Sequence, residues 1–285
     1  MQIVEGALAK LTAEAGDPVS YLLMTGADGG PTLALNDVIG TGLEVRFLEL
    51  ITCWFCGTAT PKSYGGGHCY QCFKRLARCD LCVMSPDRCH YHLGTCREPD
   101  WGESFCMQPH IVYLANSSGA KVGITRRGYQ TGRWLDQGAC QAVPILAAPT
   151  RQLAGLAEVS LAGYLPDRTD WRALVTRDAE PVDLLVLRDE LHGKALLPDG
   201  VTWLDEQPVS FSYPVARYGH TVKRLRLDEQ PLIGGNLIGV KGQYLLFEHG
   251  VFNVRQHTAY HVRVTATGEP MASNVGGSDQ MELFS

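Results

Sequence analysis

Four cysteines fall in two matched pairs, Cys53-x-x-Cys56 and Cys69-x-x-Cys72, with twelve residues rich in Gly, Lys and Ser between them. Each pair can offer two thiolates to one tetrahedral ion, and this is the spacing of a zinc ribbon. A redox dithiol needs one such pair and does not usually come as two. Further on stand Cys79, Cys82, Cys89, His90, His92, Cys96 and Cys106, more ligands than one tetrahedral site uses. A second zinc is expected there. Its ligands are either Cys82, Cys89, Cys96 and Cys106, with His90 and His92 facing solvent, or Cys79, Cys82, His92 and Cys96. Between Lys62 and Arg97 the basic residues Lys62, Lys74, Arg75, Arg78, Arg88 and Arg97 outnumber Asp80 and Asp87, an excess that suits either phosphate contact or a plain solvated face.

Glu158 is the other residue with chemistry written into its surroundings. It is the only charged side chain between Gln152 and Pro166, on a segment otherwise made of Leu, Ala, Val, Gly, Ser and Tyr. Helical spacing puts it at the border of the stripe formed by Leu153, Ala157, Leu161 and Leu165. A carboxylate there is costly unless it is paired or holds a cation. The competing expectation is a salt bridge to Arg133 or Arg151.

The elements that must position these groups can be read from the pattern. Apolar runs Ile111–Ala115 and Lys121–Thr125 flank Asn-Ser-Ser-Gly, which predicts a β-hairpin. A helix capped by Thr131 and ended by Gly138 follows, then a strand over Ala142–Ala147 and a helix over Gln152–Leu165. Residues 1–50 break like a β-meander, with strands at Val19–Met24, Pro31–Ala34 and Leu43–Leu48. The region from Trp203 to Val264 has the same texture, so the two ends are expected to form one β domain.

The order strand, strand, helix, strand, helix and the residues within it resemble the GIY-YIG nuclease superfamily, in the short variant whose second signature begins with Lys. Ile111-Val112-Tyr113 stands for the first triplet and Lys121-Val122-Gly123 for the second. The resemblance implies that Arg133 grips phosphate, that Glu158 holds one Mg²⁺ or Mn²⁺, and that Tyr113 helps activate water. Lys121, in place of the usual tyrosine, leaves the general base open, with His110 a second candidate. Arg126 and Arg127 would extend the phosphate-binding surface. The whole chain also resembles a bacterial family known only as a domain of unknown function, in which a zinc-binding segment precedes such a module. This second match rests on Cys-Trp-Phe-Cys-Gly at 53, Gly-His-Cys-Tyr-Gln-Cys at 67, Leu-Gly-Thr-Cys-Arg at 93, Arg-Trp-Leu-Asp-Gln-Gly-Ala at 133 and Gly-Gln-Tyr-Leu-Leu at 242.

A chain of 285 residues with 45% hydrophobic content can bury more than one core, and its net charge of −5 confines nucleic-acid binding to local patches. Nine of ten cysteines between Cys53 and Cys106, with no signal-like start and no apolar run of membrane-spanning length, predict a cytoplasmic metal-binding protein with no membrane partner. Past Gly268 the composition predicts a disordered linker. Gln280-Met281-Glu282-Leu283-Phe284 after it resembles the bacterial sliding-clamp-binding pentapeptide, with Gln280, Met281, Leu283 and Phe284 as the partner-binding residues.

The expectation is thus an α+β protein with five parts: a β region over 1–52, a zinc-binding segment over 53–107, a ββαβα GIY-YIG-like module over 108–200, a second β region over 201–267 that joins the first, and a tail over 268–285. Two structural zinc ions and a catalytic Mg²⁺ or Mn²⁺ would serve a DNA endonuclease, a phosphodiester hydrolase of DNA repair or replication, with Tyr113, Lys121, Arg133 and Glu158 at its site. The rival expectation is a catalytically inactive zinc-ribbon module that binds nucleic acid or a protein.

Overall fold

The computed structural model describes residues 1–26, 29–165, 170–219 and 222–271, and the chain is mixed α/β. The N-terminal part supplies β1 (Gln2–Ala7), β2 (Thr12–Glu14), β3 (Ser20–Met24), β4 (Thr32–Ala34) and β5 (Gly42–Ile51). The cysteine-rich part holds only short helices, α1 (Tyr70–Arg75), α2 (Leu81–Met84) and α3 (Pro99–Cys106). Then come β6 (His110–Asn116), β7 (Ala120–Arg126), α4 (Gln130–Asp136), β8 (Gln141–Ala148), α5 (Arg151–Ala162), α6 (Trp171–Thr176) and α7 (Leu184–His192). The chain ends in β9 (Thr202–Trp203), β10 (Val209–Ser210), β11 (Arg224–Leu225), β12 (Leu232–Lys241), β13 (Tyr244–Phe247), β14 (Gly250–Asn253) and β15 (Tyr260–Ala266). Among the described residues no helix is long and apolar enough to cross a membrane.

Strands from both ends of the chain share a seven-stranded sheet in the order β1-β15-β5-β12-β13-β14-β11. Alternation drives it: β15 buries every second residue, and Val45, Ile233, Leu245, Phe252, Val262 and Val264 meet in one core. The meander expected over 1–50 is divided. Only β1 and β5 enter the large sheet, while β2, β3 and β4 form a small sheet of their own. The segment 268–271, expected in the linker, is tied to β5 and β12 of the large sheet: Gly42 donates to the Glu269 carbonyl at 2.9 Å and Met271 to Asn236 Oδ1 at 2.7 Å.

The predicted hairpin forms from β6 and β7, in register from His110↔Arg126 to Asn116↔Ala120. Asn116 Oδ1 accepts from the Gly119 amide at 3.1 Å, which closes the turn that the Asn-Ser-Ser-Gly run suggested. Every residue of β6 is buried, because it is flanked by β7 and β8 and covered on both faces. Val112 and Leu114 pack with Ala154, Ala157 and Leu161 of α5, whereas Ile111, Tyr113 and Ala115 pack with Trp134 and Ala139. The helix expected from Thr131 starts instead at Gln130, with Tyr129 at its cap and no side-chain bond there. Gly138 ends it at φ +65°, as a C-terminal glycine does.

Two short strands depart from the expected division at residue 201. β9 and β10 pair with β8 rather than with the large sheet. They cover the outer edge of β8, which would otherwise present unpaired backbone groups.

The β12–β13 turn of the large sheet meets the small sheet and α4. The Gly242 amide donates to Tyr21 Oη at 2.9 Å, and Gln243 Nε2 donates to the Leu11 carbonyl and to Asp136 Oδ1, both at 3.0 Å. Gly242 and Gly138 lie against each other, each at positive φ, and a Cβ on Gly138 would stand 3.4 Å from the Gly242 nitrogen. Thus Arg-Trp-Leu-Asp-Gln-Gly-Ala at 133 and Gly-Gln-Tyr-Leu-Leu at 242, distant in sequence, form one contact.

Candidate metal centre and adjoining carboxylate site

The paired cysteines come together because their local turns aim them at one point. The Gly57 amide donates to the Cys53 carbonyl with Gly57 at φ +70°, folding the first pair into a knuckle. A small hairpin, Tyr64 against His68, returns the chain, and Cys69 and Cys72 open α1. The sulfurs of Cys53, Cys56, Cys69 and Cys72 all lie within 4.8 Å of one another, with Cys56 and Cys69 3.8 Å apart. Thiolates at ~2.3 Å from a tetrahedral ion stand ~3.8 Å from each other, so the set fits zinc. Thr58, whose hydroxyl is 3.4 Å from the Cys56 sulfur, and its backbone hold that thiol down at about 6. Burial, then the neighbouring thiols, push Cys72 up to about 12. Such a set ionises fully only when a cation takes the charge. This four-cysteine cluster can hold one zinc ion, and its residues are the ones the sequence paired.

The second group of ligands departs in part from both expectations. Cys79 is turned toward the first cluster, its sulfur 3.5 Å from His68 Nδ1, and His92 is exposed, so the set Cys79, Cys82, His92 and Cys96 is not assembled. Cys82, Cys89, Cys96 and Cys106 instead line one small cavity. His90 was expected to face solvent; it also lines that cavity, with Nδ1 2.8 Å from the Thr95 hydroxyl.

Glu158 projects from α5, whose N-terminus is capped by Thr150. It lines an open groove of about 350 Å³ with Ser85, Asp87 and Val122. Gly155 lets this happen: a Cβ there would stand 2.5 Å from the Asp87 nitrogen, so the turn carrying Asp87 lies directly on the helix. The expected salt bridges to Arg133 and Arg151 do not form within 4.0 Å, and among the described residues no cation pairs with Glu158. Burial raises its carboxyl to about 6, against the pull of Arg133 and Arg151 and with the push of Asp87.

Tyr113 and Arg133 stand close enough to Glu158 to feel its charge, Lys121 feels Arg133 instead, and none of the three lines the Glu158 groove. Tyr113 is fully buried and its ring crosses Gly123, where a Cβ would stand 2.6 Å from the hydroxyl. Gly123 thus leaves the room that the Tyr113 ring takes. Gln137 joins tyrosine to arginine: its amide donates to Tyr113 Oη at 3.1 Å, and its carbonyl accepts from Arg133 Nε and Nη2 at 3.3 and 3.2 Å. Strand alternation puts Lys121 on the face of Tyr113 and Val122 on the face of α5, so the edge strand β7 stands between Lys121 and the groove of Glu158. Burial, and then Arg133, lower the Lys121 ammonium to about 8. His110 is wholly buried, with Nδ1 2.7 Å from the Gln108 carbonyl, and burial lowers it to about 4. A neutral imidazole enclosed in this way has no route to a substrate. The sequence assigns no role to Gln137 or Asp87, since neither residue's type and spacing point to chemistry by themselves.

The basic residues divide in the same way. Arg97 is structural, pairing with Asp80 at 2.6 Å and donating to the Phe73 and Leu76 carbonyls. Arg75 and Arg78 instead flank the ring of Phe55 at 5.3 and 6.0 Å, and Lys74 lies over Tyr70 at 5.7 Å. Phe55 and Tyr70 are about half exposed. Arg126 is stacked between Phe105 and Tyr129, and Arg127 is exposed. Gln280, Met281, Leu283 and Phe284 lie outside the described residues.

A family model described as a protein of unknown function, DUF2797, matches residues 40–262. The match takes in the cysteine segment, the hairpin module and most of the large sheet. No curated protein matches the chain, and no solved structure does.

Proposed function

Because the chain belongs to the family of unknown function DUF2797, whose description assigns no activity, we infer its function from the site itself. The reading is a zinc-containing, divalent-metal-dependent DNA endonuclease of GIY-YIG type. The observation that carries it is Glu158, a half-buried carboxylate without an ion pair among the described residues, beside a second carboxylate in an open groove. Such a group calls for a cation, and Mg²⁺ or Mn²⁺ is commonly held by one or two carboxylates together with substrate phosphate. The ion would neutralise charge on the phosphate. Glu158 and Asp87 would hold it. Arg133, oriented by Gln137, would grip the same phosphate, with Tyr113 fixing Gln137 in turn. Lys121, which shares its proton readily near neutral pH, is the candidate proton carrier.

The zinc ribbon would grip the nucleic acid. Exposed Phe55 and Tyr70, flanked by Lys74, Arg75 and Arg78, offer ring faces for bases and cations for phosphates. The C-terminal Gln280, Met281, Leu283 and Phe284 would dock on a sliding clamp, linking the enzyme to repair or replication. The rival, an inactive binding module, is favoured by one observation: Tyr113 is fully buried and lies outside the Glu158 groove.

Incubation of labelled single- and double-stranded DNA with Mg²⁺ or Mn²⁺ separates the two. The nuclease cleaves, and Glu158→Ala does not. Binding without cleavage in both proteins establishes the rival. A peptide covering Ser278 to Ser285 should bind purified clamp at micromolar strength or weaker and lose it when Gln280, Leu283 and Phe284 become Ala.

A further inference from the structure

The cavity lined by Cys82, Cys89, Cys96 and Cys106 has a volume of about 10 Å³. That is the space of a single water-sized sphere, too small for an organic ligand and right for an ion. Its four thiols are all free, two of them buried and two half-buried, and they come from separate turns of the chain. Gly102 on α3 makes room for them: a Cβ there would stand 3.1 Å from the Cys96 sulfur and 2.8 Å from the Tyr91 ring.

We propose that Cys82, Cys89, Cys96 and Cys106 hold a second zinc ion, which fastens the turn bearing Asp87 onto α5. Binding replaces four S–H bonds with four Zn–S bonds and releases four protons to solvent, leaving a net charge of −2 on the centre. Arg151 stands close enough to Cys82 and Cys106 to feel their charge, and its buried Nε has no partner among the described residues. A thiolate sulfur would accept from it. The competing donors are Asp80, Cys82 and His90, whose ligand atoms lie within 4.8 Å of one another. Asp80 is already engaged by Arg97 at 2.6 Å and caps α2, which favours the thiolate set. The four sulfurs do not share that 4.8 Å limit, so the assignment requires that the ion draw them inward as it binds.

The fastening is visible on the helix side. Arg151 Nη2 donates to the Val83 carbonyl at 2.6 Å and Gln152 Nε2 to the Cys89 carbonyl at 2.9 Å. Two of the first residues of α5 therefore grip the backbone between two proposed ligands. A metal that fixes Cys82 and Cys89 fixes Asp87 against the helix that carries Glu158. The proposal does not depend on the nuclease reading, because metal content is measured without cleavage.

The test loads the intact chain with Co²⁺ and reads elemental content together with the visible bands of tetrahedral cobalt. Wild type should carry two ions, the double variant Cys89→Ser/Cys106→Ser one, and Asp80→Asn and His90→Asn two each. One ion in wild type, or loss of an ion in Asp80→Asn or His90→Asn, overturns the assignment. Should the double variant fail to fold, alkylation of native wild type decides. Half-buried Cys82 and Cys96 should resist reagent until a chelator strips the ion and then react together. Reaction of either while both ions remain bound sinks the proposal.

Discussion

The two groups of cysteines solve the same problem over different lengths of chain. Cys53, Cys56, Cys69 and Cys72 sit in two knuckles, each aimed by its own turn, and the four sulfurs converge with little help from the rest of the molecule. Cys82, Cys89, Cys96 and Cys106 stand singly on α2, two loops and α3, and they line one cavity only because α3 folds back against the turns that carry the other three. The first arrangement makes a centre that is local and separate from Glu158. The second, if it takes the proposed ion, would make one whose integrity is shared with the carboxylate groove.

The sharpest way to break this contrast is at the first centre. Cys72→Ser should give aggregated or protease-sensitive protein, because structural zinc in small domains is worth about 10–16 kcal/mol of folding free energy. Soluble, protease-resistant Cys72→Ser protein would show that the knuckles are dispensable. Next in size is Glu158→Gln, expected to lower cleavage by about two orders of magnitude with zinc content and fold unchanged. If melting temperature falls while activity per folded molecule survives, Glu158 is a structural residue.

A smaller effect is expected at Gly102. An added methyl group crowds Tyr91 and Cys96, so Gly102→Ala should destabilise by about 1–3 kcal/mol and weaken metal retention at the second group alone. Loss of metal from the first centre as well would erase the distinction between them. The smallest effect is that of pH. The Glu158 carboxyl lies at about 6 in the folded chain, above its ordinary value of 4.5. Without a divalent ion its contribution to stability is full below the ordinary value and is lost as pH rises through about 6. Divalent-ion affinity should run the other way, falling up to about tenfold for each pH unit below 6. Thermal melts across pH 4 to 8, with and without Mg²⁺, check both slopes, and Glu158→Gln should flatten this component.

Much of the fold was legible where local rules decide. The hairpin turn follows from Asn116 and Gly119, and the helix end from Gly138. β1 was not legible, since Gln-Ile-Val-Glu-Gly-Ala carries a broken alternation and is held by pairing with β15, over two hundred residues away. The short helices of the cysteine segment were equally hidden, because six or eight residues give too little periodicity to read.

By itself the sequence determined the paired-knuckle centre and the oddity of Glu158, because metal-ligand spacing and a lone charge on an apolar helix are local properties. Only the tertiary structure decided that Asp87 is the neighbour of Glu158, that Gln137 joins Tyr113 to Arg133, and that Cys79 belongs beside His68 instead of Cys82. Those relations depend on which surfaces bury against each other. The free energy of that burial comes from cores spread over the whole chain, so no single stretch of residues records it.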